Sequence, residues 1–272
     1  MKVSFNPVLL FLLLISDTTW ATSKTLSPSE QKVTIYYYDR EPLRFKNDDG
    51  NVTGILIDIN RLVFENAKIS FEFNKRPFKR IMEELKKPDV KGCVSGVYKT
   101  TQRLEGYWYS DEPLLIEKPF VIVINNEKRP RISETVAVAE VFTSDLKLGT
   151  YSGFSYGAWF DKKMNEYNAN RRNVSYVKDI KLTKSAHLLH LLAEGRVDYV
   201  LMPYLEAKWI LNHNDEISKY VSIVNVSDAP EEHSRYLVCS KSISKTEATM
   251  INKSLGQAVE SMEYKKILDK YY

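Results

Sequence analysis

The sequence predicts an α/β protein of two consecutive units, each with a central, mainly parallel sheet flanked by helices. Between Val33 and Val97, apolar runs of strand character alternate with runs whose apolar residues recur at three and four, in the order strand, helix, strand, helix, strand. The alternation restarts at Leu146 and continues to Asn212. Strands that alternate with helices pair in parallel through right-handed crossovers. About 250 residues remain beyond an N-terminal leader, enough for one large domain or two lobes of ordinary size.

In chain order, Lys2, the apolar run Val8 to Ile15 and the small-residue end Thr19-Trp20-Ala21 predict an export signal over residues 1–21, cleaved near Ala21. An eight-residue run is too short to span a bilayer, which takes about 20 residues. No Cys follows Ala21, so a lipid anchor is not expected, and the mature protein is expected to be soluble outside the cytoplasm. Thr22 to Gln31 reads as a loose polar leader. Val33 to Tyr37 is a strand and Asn47 to Gly50 a turn. Ile55, Ile59, Leu62 and Val63 share one helix face, and Ile69, Phe71 and Phe73 alternate as a strand. Pro77 opens a short helix, and Val90 to Val97 is the next strand. In the second unit, Leu146 to Thr150, Val174 to Val177 and Val197 to Met202 read as strands. Helices run from Gly153-Phe154-Ser155 to Tyr167, from Lys184 to Glu194 and from Leu205 to Asn212. A last strand, Arg235 to Cys239, precedes one helix with Ile251, Leu255, Val259 and Met262 on a face that returns to the first unit.

Charge is balanced, with 39 basic against 35 acidic residues, and the net +4 carries no basic stripe, so a nucleic-acid partner is not expected. His187 and His190 stand three apart on a helix without a carboxylate or thiol at ligand spacing, which reads as surface histidine. No nucleophile elbow, phosphate-cradling glycine loop or zinc signature occurs, and no cofactor is expected. Cys93 and Cys239, 146 positions apart, read either as one bridge or as two buried thiols.

The stretch Ser95 to Pro113 carries the functional signal. A buried-strand pattern ends in small residues, a single cation, Arg103, follows, and Gly106-Tyr107-Trp108-Tyr109 leads into a Ser-Asp-Glu-Pro turn. Small residues let backbone amides approach a ligand, and a guanidinium grips a carboxylate with two parallel bonds. This equipment holds a small anion.

Several passages in order resemble the family 3 extracellular solute-binding proteins, the polar amino-acid receptors of bacterial ABC importers. Glu41-Pro42-Leu43-Arg44-Phe45 with Gly54 and Ile57-Asp58-Ile59 looks like the family's opening. Thr100-Thr101-Gln102-Arg103 looks like its Thr-x-x-Arg, and Tyr109-Ser110-Asp111-Glu112-Pro113 like its Phe-Ser-Asp-Pro-Tyr. Gly149 with Gly153-Phe154-Ser155 is similar to Gly-x-x-x-Gly-Thr-Thr, and Gly195-Arg196-Val197-Asp198 matches Gly-Arg-Val-Asp. The end of the chain, Glu263 to Leu268, resembles the closing helix. The resemblance implies a periplasmic-binding-protein-like fold of type II: lobe 1 over 22–115 and 233–272, lobe 2 over 116–232, joined by crossovers near Leu115 to Pro119 and Pro230 to Ser234. It also places Cys93 and Cys239 on neighbouring strands, leaving the bridge open.

Carried over by position, Arg103 is the expected carboxylate clamp, opposed by the amides of Gly153, Phe154 and Ser155 at a helix start, where Ser155 also reads as a simple N-cap. Ser95 and Tyr98 are expected beside the ligand, with Tyr38 and Phe78 shaping the cleft and one of Asp39, Arg40 and Glu41 pointing inward. The usual ammonium-binding Asp position falls on Pro203, with Glu206 one helical turn on as a substitute; Asp198 reads as structural. The resemblance implies a monomeric receptor for a small carboxylate-bearing solute, with an ABC permease as transient partner. The alternatives are an enzyme similar to the cyclohexadienyl dehydratases, using Glu41 or Glu206 as acid or base, and a solute sensor for a membrane receptor.

Overall fold

Strand β1 (Val33–Tyr37) is buried along nearly its whole length, as an inner strand covered on both faces must be. The computed structural model describes residues 32–99, 101–151, 156–167, 169, 174–177, 186–230 and 233–272, with Met1. After β1, the hairpin β2 (Phe45–Lys46) and β3 (Val52–Thr53) leads to helix α1 (Ile55–Asn66). Strand β4 (Phe71–Lys75) begins two residues later than the alternation from Ile69 predicts, and α2 (Phe78–Glu84) starts after Pro77. Then come β5 (Gly92–Val97), α3 (Thr101–Leu104), β6 (Trp108–Tyr109) and β7 (Leu115–Glu117).

The second lobe opens with β8 (Phe120–Asn125), β9 (Thr135–Val136) and α4 (Val138–Phe142). Next follow β10 (Leu148–Tyr151), α5 (Ala158–Glu166), β11 (Val174–Val177) and α6 (Ala186–Ala193). It closes with β12 (Tyr199–Pro203), α7 (Tyr204–Asn212), α8 (Asp215–Ser218) and β13 (Val221–Val226). The chain returns through β14 (His233–Cys239) to α9 (Lys245–Val259) and α10 (Met262–Tyr271).

Among the described residues two six-stranded sheets result, β4-β1-β5-β14-β6 with β7 on β14, and β11-β10-β12-β8-β13-β9. Parallel pairing holds where helices connect the strands, in β4-β1-β5 and β11-β10-β12. Antiparallel pairing enters with β14 and β8, the strands that pass between the lobes and so run against their neighbours. The crossovers meet where β7 pairs with the start of β14, Glu117 opposite His233 and Leu115 opposite Arg235. In the first lobe, Ile35, Ile59 and Val63 pack with Leu237, Ile251 and Leu255. In the second, β8 divides the core: Ile122 and Ile124 face Phe142 and Phe160, while Val121 and Val123 face Leu189 and Leu192.

Three expectations change. Strands β8 and β13 lie in stretches the alternation leaves unassigned: β8 enters from the crossover rather than from a helix, and β13 follows the short helix α8. The single C-terminal helix is two: Ser261 caps α10 by accepting from the Tyr264 amide at 3.1 Å, and Met262, expected on the face of the first helix, opens the second. Helix α5 starts after Gly157, which adopts φ 90°, rather than at Gly153. Gly153, Phe154 and Ser155 lie outside the described residues.

One close approach places the site loop. Gly54 (φ 120°) precedes α1, whose first amides donate to the carbonyls of Pro42 (3.0 Å) and Leu43 (2.9 Å). A Cβ on Gly54 would lie 2.6 Å from the Leu43 carbonyl oxygen and 2.7 Å from the Arg44 backbone, so only glycine admits the contact. The Gly54 amide also donates to the Tyr271 hydroxyl at 3.1 Å, which in turn donates to Asp58 Oδ2 at 2.8 Å, tying α10 to the same point.

Gly54→Ala is therefore expected to cost about 2–4 kcal/mol, since backbone rather than a mobile side chain must yield, checked by denaturant unfolding. Cys93 and Cys239 face each other across β5 and β14 and are joined by a disulfide. Replacing both by Ala is expected to lower stability by about 2–5 kcal/mol while leaving the fold intact by circular dichroism.

Candidate ligand site at the lobe junction

Ligand sites in α/β sheets collect at the carboxyl ends of parallel strands. Here β1 delivers Tyr38 and Arg40, β5 delivers Tyr98, the crossovers bring Glu117, His233 and Arg235, and the first turn of α7 brings Glu206. Arg40 pairs with Glu206: Nε donates to Oε2 at 2.8 Å, and Nη2 lies 2.8 Å from Oε1. Arg235 donates from Nε to Glu117 Oε2, from Nη1 to the Gly96 carbonyl at 3.1 Å, and lies 3.6 Å from Glu206 through Nη2. Arg44 stacks on Tyr38, its guanidinium carbon 3.8 Å from the ring centroid, and donates to the Ser95 carbonyl at 3.3 Å. Arg235 stands 4.7 Å over the Tyr98 ring. Arg44, Glu117, Glu206 and Arg235 are each no more than 2% exposed.

This clustering sets the proton affinities. Burial alone would lower Arg40 and Arg235, yet Glu206 and Glu117 outweigh it and hold both guanidiniums charged. Arg44 shifts downward, through burial and the like charges of Arg40 and Arg235. Burial alone would push the Tyr38 hydroxyl up, but Arg44, Arg40 and Arg235 pull it below its usual value. The Glu117 carboxyl shifts upward, chiefly through burial. Burial, then the Arg235 charge, bring His233 down to about 4.

Arg103 is half-buried, 5.8 Å from the Phe78 ring centroid, with Nη1 at 3.4 Å from the Tyr98 carbonyl. Tyr38 and Phe78 pack at 5.3 Å between ring centroids. The structure thus brings Arg103, Phe78, Tyr38 and Tyr98 together. Ser95 does not join them: its hydroxyl donates to Asn60 Oδ1 at 2.6 Å, because that face of β5 packs on α1. Pro203 is buried, paired with Phe120. Of the three loop residues, Arg40 turns inward, whereas Glu41 lines a separate hollow of about 330 Å³ with Asp39, Phe45 and Trp209. Arg80 points to solvent and pairs with Glu84. Asp198 accepts from the Lys147 amide at 2.8 Å, a brace within the second lobe. Among the described residues no three His, Cys, Asp or Glu side chains are grouped to hold a metal ion.

Sequence reading missed Arg44, Glu117, His233 and Arg235. The signal was present: an arginine between Leu43 and Phe45, and another inside the strand His233–Cys239, are charges in apolar surroundings, which fold only when paired.

The His233 shift fixes a pH dependence. The unfolded chain protonates this imidazole near 6.5, the folded chain only near 4, so unfolding takes up a proton between those values. This contribution makes stability fall as pH drops from about 6.5 to about 4 and is constant above. The raised Glu117 acts in the opposite sense, its contribution being lost as pH rises. His233→Phe keeps the ring among Phe120 (4.8 Å) and Phe160 (6.2 Å), and its melting temperature is expected to lose the fall that His233 adds between pH 6.5 and 4.

Comparison with known proteins sets this geometry in context. The chain is similar in structure to an ancestral arginine-binding protein bound to arginine (19% identity, 90% of this chain and 99% of that one, TM-score 0.69). It is equally similar to a substrate-binding protein of an ABC uptake transporter from Streptococcus pneumoniae with bound histidine (19%, 90% and 94%, TM-score 0.69). An ancestral amino acid-binding protein described as a precursor of cyclohexadienyl dehydratase also shares the fold (17%, 89% and 95%, TM-score 0.66). Comparison with curated protein sequences gives no match. The periplasmic-binding-protein-like fold of type II, two α/β lobes on two crossover strands, is thus shared across these proteins. The model of one family matches residues 33–272, and the chain belongs to that family, the bacterial extracellular solute-binding proteins, family 3.

Proposed function

We propose that the protein is a periplasmic solute-binding protein whose lobes close on a small carboxylate-bearing solute, an amino acid or related organic anion, and that it delivers the solute as a monomer to an ABC permease. The observation that carries this is Arg103: a half-buried guanidinium beside Phe78 and Tyr38 that makes no ion pair among the described residues. A guanidinium in that setting offers its fork to a carboxylate, and the aromatic rings flank the rest of the ligand. Gly153, Phe154 and Ser155 would oppose it from the second lobe. Lys2 with the apolar run Val8 to Ile15 supports export across the inner membrane.

Closure about the crossovers follows from affinity: a solute that touches both lobes binds the closed state more tightly and shifts the population toward it. Turnover is less well supported. A dehydratase needs an acid or base free to reach the substrate, whereas Glu206 is held by Arg40 and Arg235, and Glu41 lines the separate hollow.

A thermal-shift screen over amino acids, dicarboxylates, aromatic acids and peptides is expected to find a stabilising acid. Arg103→Ala should weaken its binding by about 2–5 kcal/mol, abolishing the shift at the concentration that saturates the parent. An undiminished response in the mutant would reassign the clamp, and consumption of a prephenate-like substrate would replace receptor by enzyme.

A further inference from the structure

We infer that the solute accepted at this junction is an anion without an ammonium group, and that Arg40 sets the preference by occupying Glu206. The inference rests on the solute-binding reading above and narrows its ligand class.

An α-amino acid needs donors for its carboxylate and an acceptor for its ammonium. Among the described residues at the junction, each carboxylate is paired with one of the protein's own cations, although Asp39 Oδ1 and Glu117 Oε1 are buried without a hydrogen bond. Both Glu206 oxygens face Arg40 at 2.8 Å, with Arg235 3.6 Å from one of them, and Glu117 is bonded to Arg235. Asp39 is paired with Lys75, and Pro203 has no side-chain acceptor. An ammonium entering here must share or displace a guanidinium already paired with the carboxylate, exchanging one cation for another at little electrostatic gain.

The charges, by contrast, do not balance. Arg44 makes no ion pair among the described residues; it donates to the Ser95 carbonyl, and its Nε and Nη2 are buried without a hydrogen-bond partner. Three guanidiniums (Arg40, Arg44, Arg235) meet two carboxylates (Glu117, Glu206), an excess of one positive charge before Arg103 is counted. The depressed Tyr38 hydroxyl registers the same positive field. Buried charge left uncompensated is costly. One negative charge from the ligand neutralises the cluster, whereas a zwitterion brings no net charge at all.

The test titrates the full chain calorimetrically with matched pairs that differ only in the α-amino group: succinate and aspartate, 3-phenylpropionate and phenylalanine, propionate and alanine. The amine-free member of at least one pair is expected to bind on the order of 100-fold more tightly than its partner, the scale at which buried polar mismatches discriminate. Equal or tighter binding of the amino acid overturns the inference while leaving the carboxylate receptor intact. Failure of every acid of both kinds, in these pairs and across the wider screen, overturns both. Arg40→Met frees Glu206 and is expected to shrink the preference at least tenfold; an unchanged preference in a cooperatively melting variant removes Arg40 from the role. The parent titrations decide the ligand class even where the variant does not fold.

Discussion

Five charged side chains meet in the protein interior where the two crossover strands join the lobes, and the cost of desolvating them constrains everything around. Arg235 cannot be buried at 1% exposure without Glu117, which sits on the paired crossover strand. A buried pair stripped of one partner typically loses about 3–5 kcal/mol, so neither strand can slip in register without exposing the cost. Gly96, at the end of β5, makes the packing possible: a Cβ there would lie 2.5 Å from Leu56 and 2.9 Å from Arg44 Nη1. Its carbonyl takes the second bond from Arg235. The junction is thus a covalent crossing whose geometry is enforced by charge.

The same constraint reaches outward through the loop after β1. Arg40 and Arg44 are separated by the turn at Pro42, and their backbones pair with each other at 2.7 and 2.9 Å. The turn is held against the start of α1 by Gly54 and, through the Tyr271 hydroxyl, by the last helix of the chain. The C-terminal helices therefore do more than cover the first sheet. They fix the point from which one arginine reaches the second lobe and another stacks behind Tyr38.

Fold and site differ in how far the sequence reveals them. Period and turn chemistry are local, so β1, α1, α2, β5 and the α/β alternation could be read directly, and Arg103 stood out as a cation after a small-residue turn. Phe78 and Tyr38 were legible through the same passages. Pairings were not legible: Glu117 finds Arg235 across 118 positions, and Arg40 finds Glu206 across 166. No spacing rule reaches that far, and an arginine inside a strand announces only that a partner exists. Ser95 shows the converse error. Its place in the motif suggested a ligand contact, but strand parity turned its side chain toward Asn60 and α1.

Burying the Arg40 and Glu206 pair between lobes has a further consequence for motion. Coulomb attraction in a low-dielectric site is large, but removing both groups from water costs a similar amount, so such pairs stand near break-even. In the proposed receptor, opening the cleft would rehydrate both groups as it separates them. The pair would then bias the open–closed equilibrium weakly and leave the choice of ligand to a site balanced on one side and positive on the other. A binding protein needs that combination: its closure must be decided by the solute's differential affinity, and an internal latch of several kcal/mol would close it on nothing.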